Sequence, residues 1–168
     1  MQIFRTADYL EVSKKAASII ASQVILKPNA ILGLATGSTP IKTYELLVRM
    51  YEAGDLDFSQ ISTINLDEYR GLEATHKQSY RYFMNQHLFD HININKANTY
   101  LPDGMEPDSI KACKEYEAVI KNSAGIDLQV LGLGHNGHIG FNEPNDSFSK
   151  GTNCVKLSDS TVEANSRF

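Results

Sequence analysis

The sequence has no tryptophan, two cysteines and five prolines among 168 residues, and it lacks long apolar runs. Cys113 and Cys154 are far apart and form no CxxC pair, which is typical of reduced thiols rather than a disulfide framework. The longest apolar stretches, residues 30–35 and 126–133, are much shorter than the ~20 residues that span a bilayer. The N-terminus lacks the apolar segment of a secretory signal, so the expected location is cytoplasmic.

A strong excess of charge of one sign is also absent. Lys and Arg number 16 and Asp and Glu number 20, which gives a formal net charge of −4, and like charges form no block. A basic face that binds nucleic acid is therefore not expected. Apolar residues make up 42% and charged residues 21%, as in ordinary globular proteins, so residues 1–168 are expected to form a single domain.

Short apolar segments alternate with helical patterns along the chain. Strands are predicted at residues 30–35, 61–66, 98–101 and 126–133, with a further short strand at 154–157. Helices are predicted between them, with N-caps at Thr6 or Asp8, Thr39, Ser79, and Asp108 or Ser109. This alternation favours an α/β fold, with a three-layer, largely parallel sheet that has helices on both faces, as in Rossmann-like proteins.

Three polar clusters directly follow predicted strands, at residues 36–39, 67–69 and 134–143. In open α/β sheets, ligands bind outside the carboxyl ends of the strands. Because parallel strands bring their carboxyl ends to one edge, these clusters are expected to converge there.

The first cluster contains Gly37, Ser38 and Thr39, with Pro40 at the expected start of a helix. Free main-chain amides at a helix start suit a phosphate dianion. The alternative is an ordinary strand-to-helix turn, which also favours Gly, Ser and Thr, and the cluster lacks the lysine of a Walker loop.

The second cluster contains Asp67, whose carboxylate could serve as a general base at the tip of a strand. The alternative is a surface carboxylate in a turn. In the third cluster, a neutral His138 oriented by Glu143 could transfer a proton.

The third cluster suggests two further kinds of site. Residues 132–137, GLGHNG, match the dinucleotide pattern GxGxxG, but Gly140, Asn142 and Pro144 prevent the helix that this pattern requires. A metal centre at His135, His138 and Glu143 is disfavoured because their spacing does not match the helical HEXXH arrangement. We therefore expect no metal site.

Three segments together carry a resemblance to a known family: LATGSTP at residues 34–40, INLDEY at 64–69 and LGLGHNGHIGFNEP at 131–144. The chain resembles the glucosamine-6-phosphate deaminases over essentially its whole length. The broader superfamily includes the 6-phosphogluconolactonases, which share the fold.

The resemblance implies an aldose–ketose isomerase and deaminase that converts glucosamine 6-phosphate and water to fructose 6-phosphate and ammonia, with no cofactor. By this resemblance, His138 with Glu143 opens the sugar ring, and Asp67 moves the proton from C2 to C1. Many family members carry aspartate at the position of Asn136, so the amide here removes a charge beside His138. The expected phosphate contacts are Gly37, Ser38, Thr39 and Arg167.

Family members continue beyond the position of Phe168 with further strands and a phosphate-binding lysine, so a missing C-terminal part is expected. The alternatives are a 6-phosphogluconolactonase, another sugar-phosphate isomerase of the superfamily, or a non-catalytic sugar-phosphate-binding domain. The expected partner is a small sugar phosphate, with neither nucleic acid nor a membrane. The sequence leaves open whether the protein is a monomer or a homo-oligomer.

Overall fold

The computed structural model describes residues 1–134, 136–147, 149–158 and 161–162. Its α-helices are α1 (Tyr9–Leu26), α2 (Ile41–Glu52), α3 (Tyr80–His87) and α4 (Ser109–Asn122). Its strands are β1 (Ile31–Leu34), β2 (Ser62–Asn65), β3 (Thr99–Tyr100) and β4 (Leu128–Gln129). Short 3₁₀ helices at Phe89–His91 and Lys96–Asn98 lie between α3 and β3.

The four strands form one parallel sheet in the order β3-β2-β1-β4. The chain moves outward from β1 to β3 and then crosses back to place β4 on the other side of β1. Right-handed crossovers therefore place α2 and α3 on one face and α4 on the opposite face. This arrangement confirms the predicted α/β fold, and it puts the reversal of strand order between β1 and β4.

The main core fills the space between the sheet and the helices α1 to α3. Leu32 and Leu34 of β1 point into this space and are almost fully buried. Their neighbours come from every helix on that face and include Ile20, Tyr44 and Met84. Full burial of such a side chain contributes roughly 1.5–3 kcal/mol, so this face provides most of the apolar stabilisation.

The opposite face is covered more sparsely. Tyr116 is the buried residue of α4, and its hydroxyl lies 2.6 Å from the main-chain oxygen of Asn65 and 3.1 Å from that of Tyr100. Gly33 of β1 allows close packing there, since a β-carbon at this position would lie 2.0 Å from Gln129 Oε1. Tyr116 thus ties α4 to the carboxyl ends of β2 and β3.

The helix starts agree with the predictions except at α2. Asp8, Ser79 and Asp108 are N-caps whose side chains accept main-chain N–H groups, a contact worth about 1 kcal/mol. The predicted cap Thr39 is wrong, because Pro40 holds the N-cap position of α2. Proline has no side-chain acceptor for the helix amides.

The expected strand at residues 154–157 is also wrong, since this segment has no strand pairing. Side-chain bonds on either side of it hold it instead: the hydroxyl and main-chain N–H of Thr152 donate to Glu117, and the Ser158 hydroxyl donates to Glu143. Among the described residues, no helix combines the length and apolar character needed to cross a membrane.

Candidate active site

The three polar clusters follow β1, β2 and β4, so the parallel sheet brings all of them to its carboxyl edge. Two of them, after β1 and β4, flank the point where the strand order reverses. In open α/β sheets this position is the usual ligand site.

The phosphate turn, residues 36–40, connects β1 to α2. Gly37 has φ +97°, a left-handed conformation that glycine adopts without strain, and the side chains of Ser38 and Thr39 are exposed. The Tyr9 hydroxyl of α1 donates to the main-chain oxygen of Ser38 at 3.1 Å and accepts from Lys42 N at 3.1 Å. The turn therefore presents the start of a helix to solvent while Tyr9 holds it from behind.

Asp67 lies two residues beyond the end of β2 and close to the loop that follows β4. A β-carbon at Gly140 would lie 3.2 Å from Asp67 Oδ2, so glycine allows the loop to approach the carboxylate. Burial raises the pKa of Asp67 to about 7, and the neighbouring negative charge of Glu68 adds to this effect. An aspartate with this pKa can both accept and return a proton near neutral pH.

The imidazole loop, residues 134–143, contains a chain of side-chain hydrogen bonds. Glu143 Oε2 accepts from Asn136 Nδ2 at 2.9 Å, and Asn136 Oδ1 lies 2.5 Å from His138 Nδ1. Because an ionised carboxylate only accepts hydrogen bonds, the Asn136 amide must turn its oxygen toward His138. Nδ1 of His138 then carries the proton, and in neutral His138 Nε2 is left as the basic nitrogen.

The loop is shaped around the imidazole ring. A β-carbon at Gly134 would lie 2.4 Å from His138 Cε1 and Nε2, so the glycine at this position gives the ring its space. Gly134 N donates to the main-chain oxygen of His138 at 2.8 Å, which closes the loop. Glu143 was expected to orient His138, and in this structure it acts on the ring through the amide of Asn136.

The other oxygen of Glu143 accepts from two hydroxyl groups that lie later in the chain. Ser158 Oγ donates to Glu143 Oε1 at 2.9 Å, and the hydroxyl of Thr161 bonds to the same oxygen. The Thr161 hydroxyl contributes most to lowering the pKa of Glu143 to about 2, followed by Asn136 and Ser158. Glu143 is therefore a fixed anion at neutral pH, as the hydrogen-bond chain to His138 requires.

Three aromatic rings, Tyr69, Tyr80 and Phe141, form a cluster that we call the aromatic trio. The ring centroids of Tyr69 and Tyr80 are 4.9 Å apart, and Phe141 lies 5.0 Å from the first and 5.6 Å from the second. The side chain of Thr36 also lies close to the Tyr80 side chain. The aromatic trio thus connects the phosphate turn, the tip of β2 and the imidazole loop.

A cavity of about 310 Å³ lies beside the phosphate turn and the aromatic trio, and neither Asp67 nor His138 is among the residues that line it. Gly37 of the phosphate turn lines it, together with Tyr69 and Tyr80 of the aromatic trio and with Leu157 and Val162. Its volume is within the range of small-molecule sites.

Two of the candidate site residues, His135 and Arg167, lie outside the described residues. Within the described ranges, no group of three or more His, Cys, Asp or Glu side chains could hold a metal ion. Sequence reasoning missed the aromatic trio, Ser158 and Thr161 as parts of the site. Tyr69, two residues after Asp67, was a visible signal in the sequence, whereas nothing local marks Ser158 or Thr161.

A family model described as glucosamine-6-phosphate isomerases/6-phosphogluconolactonase matches residues 7–167. The glucosamine-6-phosphate deaminase of Lachnoclostridium phytofermentans is 57% identical over 168 residues, covering 100% of this chain and 71% of the relative. The solved structure of a monomeric glucosamine-6-phosphate deaminase superposes with a TM-score of 0.96 at 42% identity, covering 99% of this chain and 69% of that one.

The 6-phosphogluconolactonase of Thermotoga maritima superposes with a TM-score of 0.68 at 24% identity, covering 84% of this chain and 63% of that one. At this identity the likeness concerns the fold alone.

Proposed function

This chain belongs to the glucosamine-6-phosphate isomerase/6-phosphogluconolactonase family, and on that premise we propose that it is a glucosamine-6-phosphate deaminase. The reaction converts glucosamine 6-phosphate and water to fructose 6-phosphate and ammonia. The observation that carries the proposal is the approach of Asp67 to the imidazole loop, which supplies a base and a separate acid–base group at one rim. An isomerase that opens a ring and then moves a carbon-bound proton needs both.

Ring opening is assigned to His138. Its neutral Nδ1–H form accepts the proton of the anomeric hydroxyl at Nε2 and delivers a proton to the ring oxygen as the bond between C1 and that oxygen breaks. The imidazole is transiently positive between these transfers. Glu143, which acts through Asn136, stabilises that charge without taking the proton itself.

Isomerisation is assigned to Asp67. Its carboxylate removes the proton from C2 of the open sugar while the C1 oxygen takes up a proton from the substrate's ammonium group, which gives an enolamine, and the resulting carboxylic acid returns the proton to C1. Water then adds to C2 of the imine, and ammonia leaves. Since the pKa of Asp67 is raised to about 7, this group is matched to both directions of proton transfer near neutral pH.

The phosphate group of the substrate is assigned to Gly37, Ser38 and Thr39, with Arg167 as a further contact. The exposed hydroxyls and the amides at the start of α2 support this assignment, because a helix N-terminus favours an anion. Binding energy from this remote group orients C2 toward Asp67. The proposal treats residues 1–168 as belonging to one sugar-phosphate isomerase domain, since a single sheet carries all three clusters.

The test measures ammonia and fructose 6-phosphate after incubation with glucosamine 6-phosphate. The parent protein should release both in equal amounts, and Asp67→Asn should lower kcat by roughly 10²–10⁴-fold, which is the usual contribution of a general base. Asp55→Asn, an exposed matched control, should retain the parent rate.

Hydrolysis of 6-phosphogluconolactone without release of ammonia would overturn the proposal in favour of a lactonase. Binding of the sugar phosphate without turnover of either substrate would instead indicate a non-catalytic binding domain.

A further inference from the structure

Glu68, the residue after Asp67, points away from the proposed chemistry and into the start of α3. Its Oε1 accepts from the main-chain N–H of Tyr69 at 2.8 Å and of Tyr80 at 2.9 Å, and its Oε2 accepts from Arg81 N at 2.9 Å. One carboxylate therefore binds three main-chain amides from two separate segments.

These bonds complete the N-terminus of α3. Glu68 accepts the N–H groups of the first two helical residues, Tyr80 and Arg81, while the Ser79 hydroxyl accepts that of Tyr82 at 3.0 Å. An N-terminal helix amide also favours a negative charge on its partner. Glu68 thus fixes α3 to the residues that follow β2.

The same carboxylate also holds two residues of the aromatic trio in place. Oε1 of Glu68 accepts from the main-chain N–H groups of both Tyr69 and Tyr80. The rings of these two residues contact Phe141. Phe141 lies between His138 and Glu143 in the imidazole loop. A displacement at Glu68 would therefore move Asp67 and the loop relative to each other.

We propose that Glu68 is a positioning residue that sets the placement of Asp67 against the imidazole loop. It does so by joining the tip of β2, the start of α3 and the aromatic trio into one unit. The expected effect of Glu68 on kcat rests on the proposed function. Its expected effects on the position and the titration of Asp67 do not.

The charges around Asp67 come from several elements. Glu68 is its neighbour in the chain, Tyr80 and Tyr116 interact with it from α3 and α4, and the imidazole loop, which carries His138 and Glu143, approaches it at Gly140. Of these, the Glu68 charge is the one that adds to burial in raising the pKa of Asp67. Burial raises the pKa of Glu68, and its bonds from main-chain amides and the charge of the Arg81 guanidinium act in the opposite direction, toward the ionised form.

Two substitutions separate charge from reach. Glu68→Gln keeps the length of the side chain and removes the charge, although its NH₂ group then faces a main-chain donor. Glu68→Asp keeps the charge, but it is one methylene too short to hold Tyr69, Tyr80 and Arg81 together. Glu73→Gln removes the same charge at an exposed position five residues along and is the matched control.

Two measurements report the outcome: the carboxyl ¹³C NMR titration of Asp67, and the pH profile of kcat/KM for ammonia release. In Glu68→Gln, the titration midpoint of Asp67 and the acid limb of the profile should both move to lower pH. In Glu68→Asp, both should stay near the parent values while kcat falls about 10- to 100-fold, as expected from displacement on the order of 1 Å. Glu73→Gln should match the parent in every measurement.

If both Glu68 variants lower only the melting temperature, with the Asp67 titration and kcat unchanged, Glu68 is simply a helix cap and the inference is wrong. The NMR titration requires no substrate. A parent protein that releases no ammonia, but in which Glu68→Gln still moves the Asp67 midpoint, would therefore refute the proposed function while supporting the electrostatic role of Glu68.

Discussion

The face of the sheet covered by α1, α2 and α3 differs from the rim formed by residues 133–134, 136–143 and 149–158 in what stabilises it. On the helical face, apolar side chains such as Leu34 and Phe58 are almost completely buried. At the rim, Leu133 and Ile139 remain exposed, and side-chain hydrogen bonds centred on Glu143 hold the chain. The difference teaches that the stability of this fold and the geometry of its site depend on different residues and can be altered separately.

The largest effect on stability is expected from a substitution in the core on the helical face. Phe58 is 1% exposed, so Phe58→Ala should lower the free energy of unfolding by about 3–5 kcal/mol, as buried Phe-to-Ala substitutions do. Leu133 is 77% exposed, so Leu133→Ala should change it by less than ~0.5 kcal/mol. Urea unfolding measures both, and equal losses in the two variants would contradict the comparison.

At the rim, Asp67→Asn is expected to stabilise the protein at high pH, whereas most substitutions destabilise a folded protein. Since its folded pKa is raised to about 7, the folded state favours the protonated form, and its contribution to stability is lost as pH rises from about 4 to about 7. Because asparagine does not ionise, Asp67→Asn should not lose stability over this pH range. At pH 8 the variant should be more stable than the parent by roughly 2–4 kcal/mol, whereas near pH 4 the two should be similar.

Urea unfolding of Asp67→Asn and its parent across this pH range tests the sign. A constant difference at all pH values would mean that Asp67 titrates normally in the folded protein.

The sequence was sufficient where a feature is local or periodic. The caps at Ser79 and Asp108 and the apolar strands could be predicted because a few neighbouring residues determine them. The cap at Thr39 was predicted wrongly, because the start of α2 receives its acceptor from Tyr9, more than thirty residues earlier.

The structure of the candidate site was less accessible from the sequence. Its three clusters could be placed on one rim because each follows a parallel strand. The bonds from Ser158 and Thr161 to Glu143 span 15 and 18 residues and involve only side chains, so no periodic pattern marks them. The role of the Asn136 amide as a bridge likewise depends on the folded geometry of the loop.

A smaller effect, confined to activity, is expected at Asn136. Asn136→Ala breaks the connection between Glu143 and His138, so kcat should fall about 10- to 100-fold while the free energy of unfolding changes little. Asn136→Asp keeps an acceptor for His138 Nδ1 and should recover part of the loss. Asn145→Ala, an exposed change nearby, is the control.

Ammonia release and urea unfolding, measured on the same preparations, separate the two quantities. A large loss of stability in Asn136→Ala would show that this amide belongs to the structural part of the molecule rather than to its reactive rim.

The smallest effect is expected at Tyr9, where the two regions meet. Tyr9→Phe removes the hydroxyl that joins Ser38 to the start of α2 but leaves the ring on α1 in place. Losing these hydrogen bonds costs about 1 kcal/mol, so KM for the sugar phosphate should rise roughly fivefold with kcat unchanged. Steady-state kinetics of Tyr9→Phe beside Tyr82→Phe, which alters α3 instead, checks this. A fall in kcat at constant KM would show that Tyr9 influences the reacting carbon atoms rather than the phosphate turn. Helix α1 would then contribute to the geometry of the site as well as to the stability of the helical face.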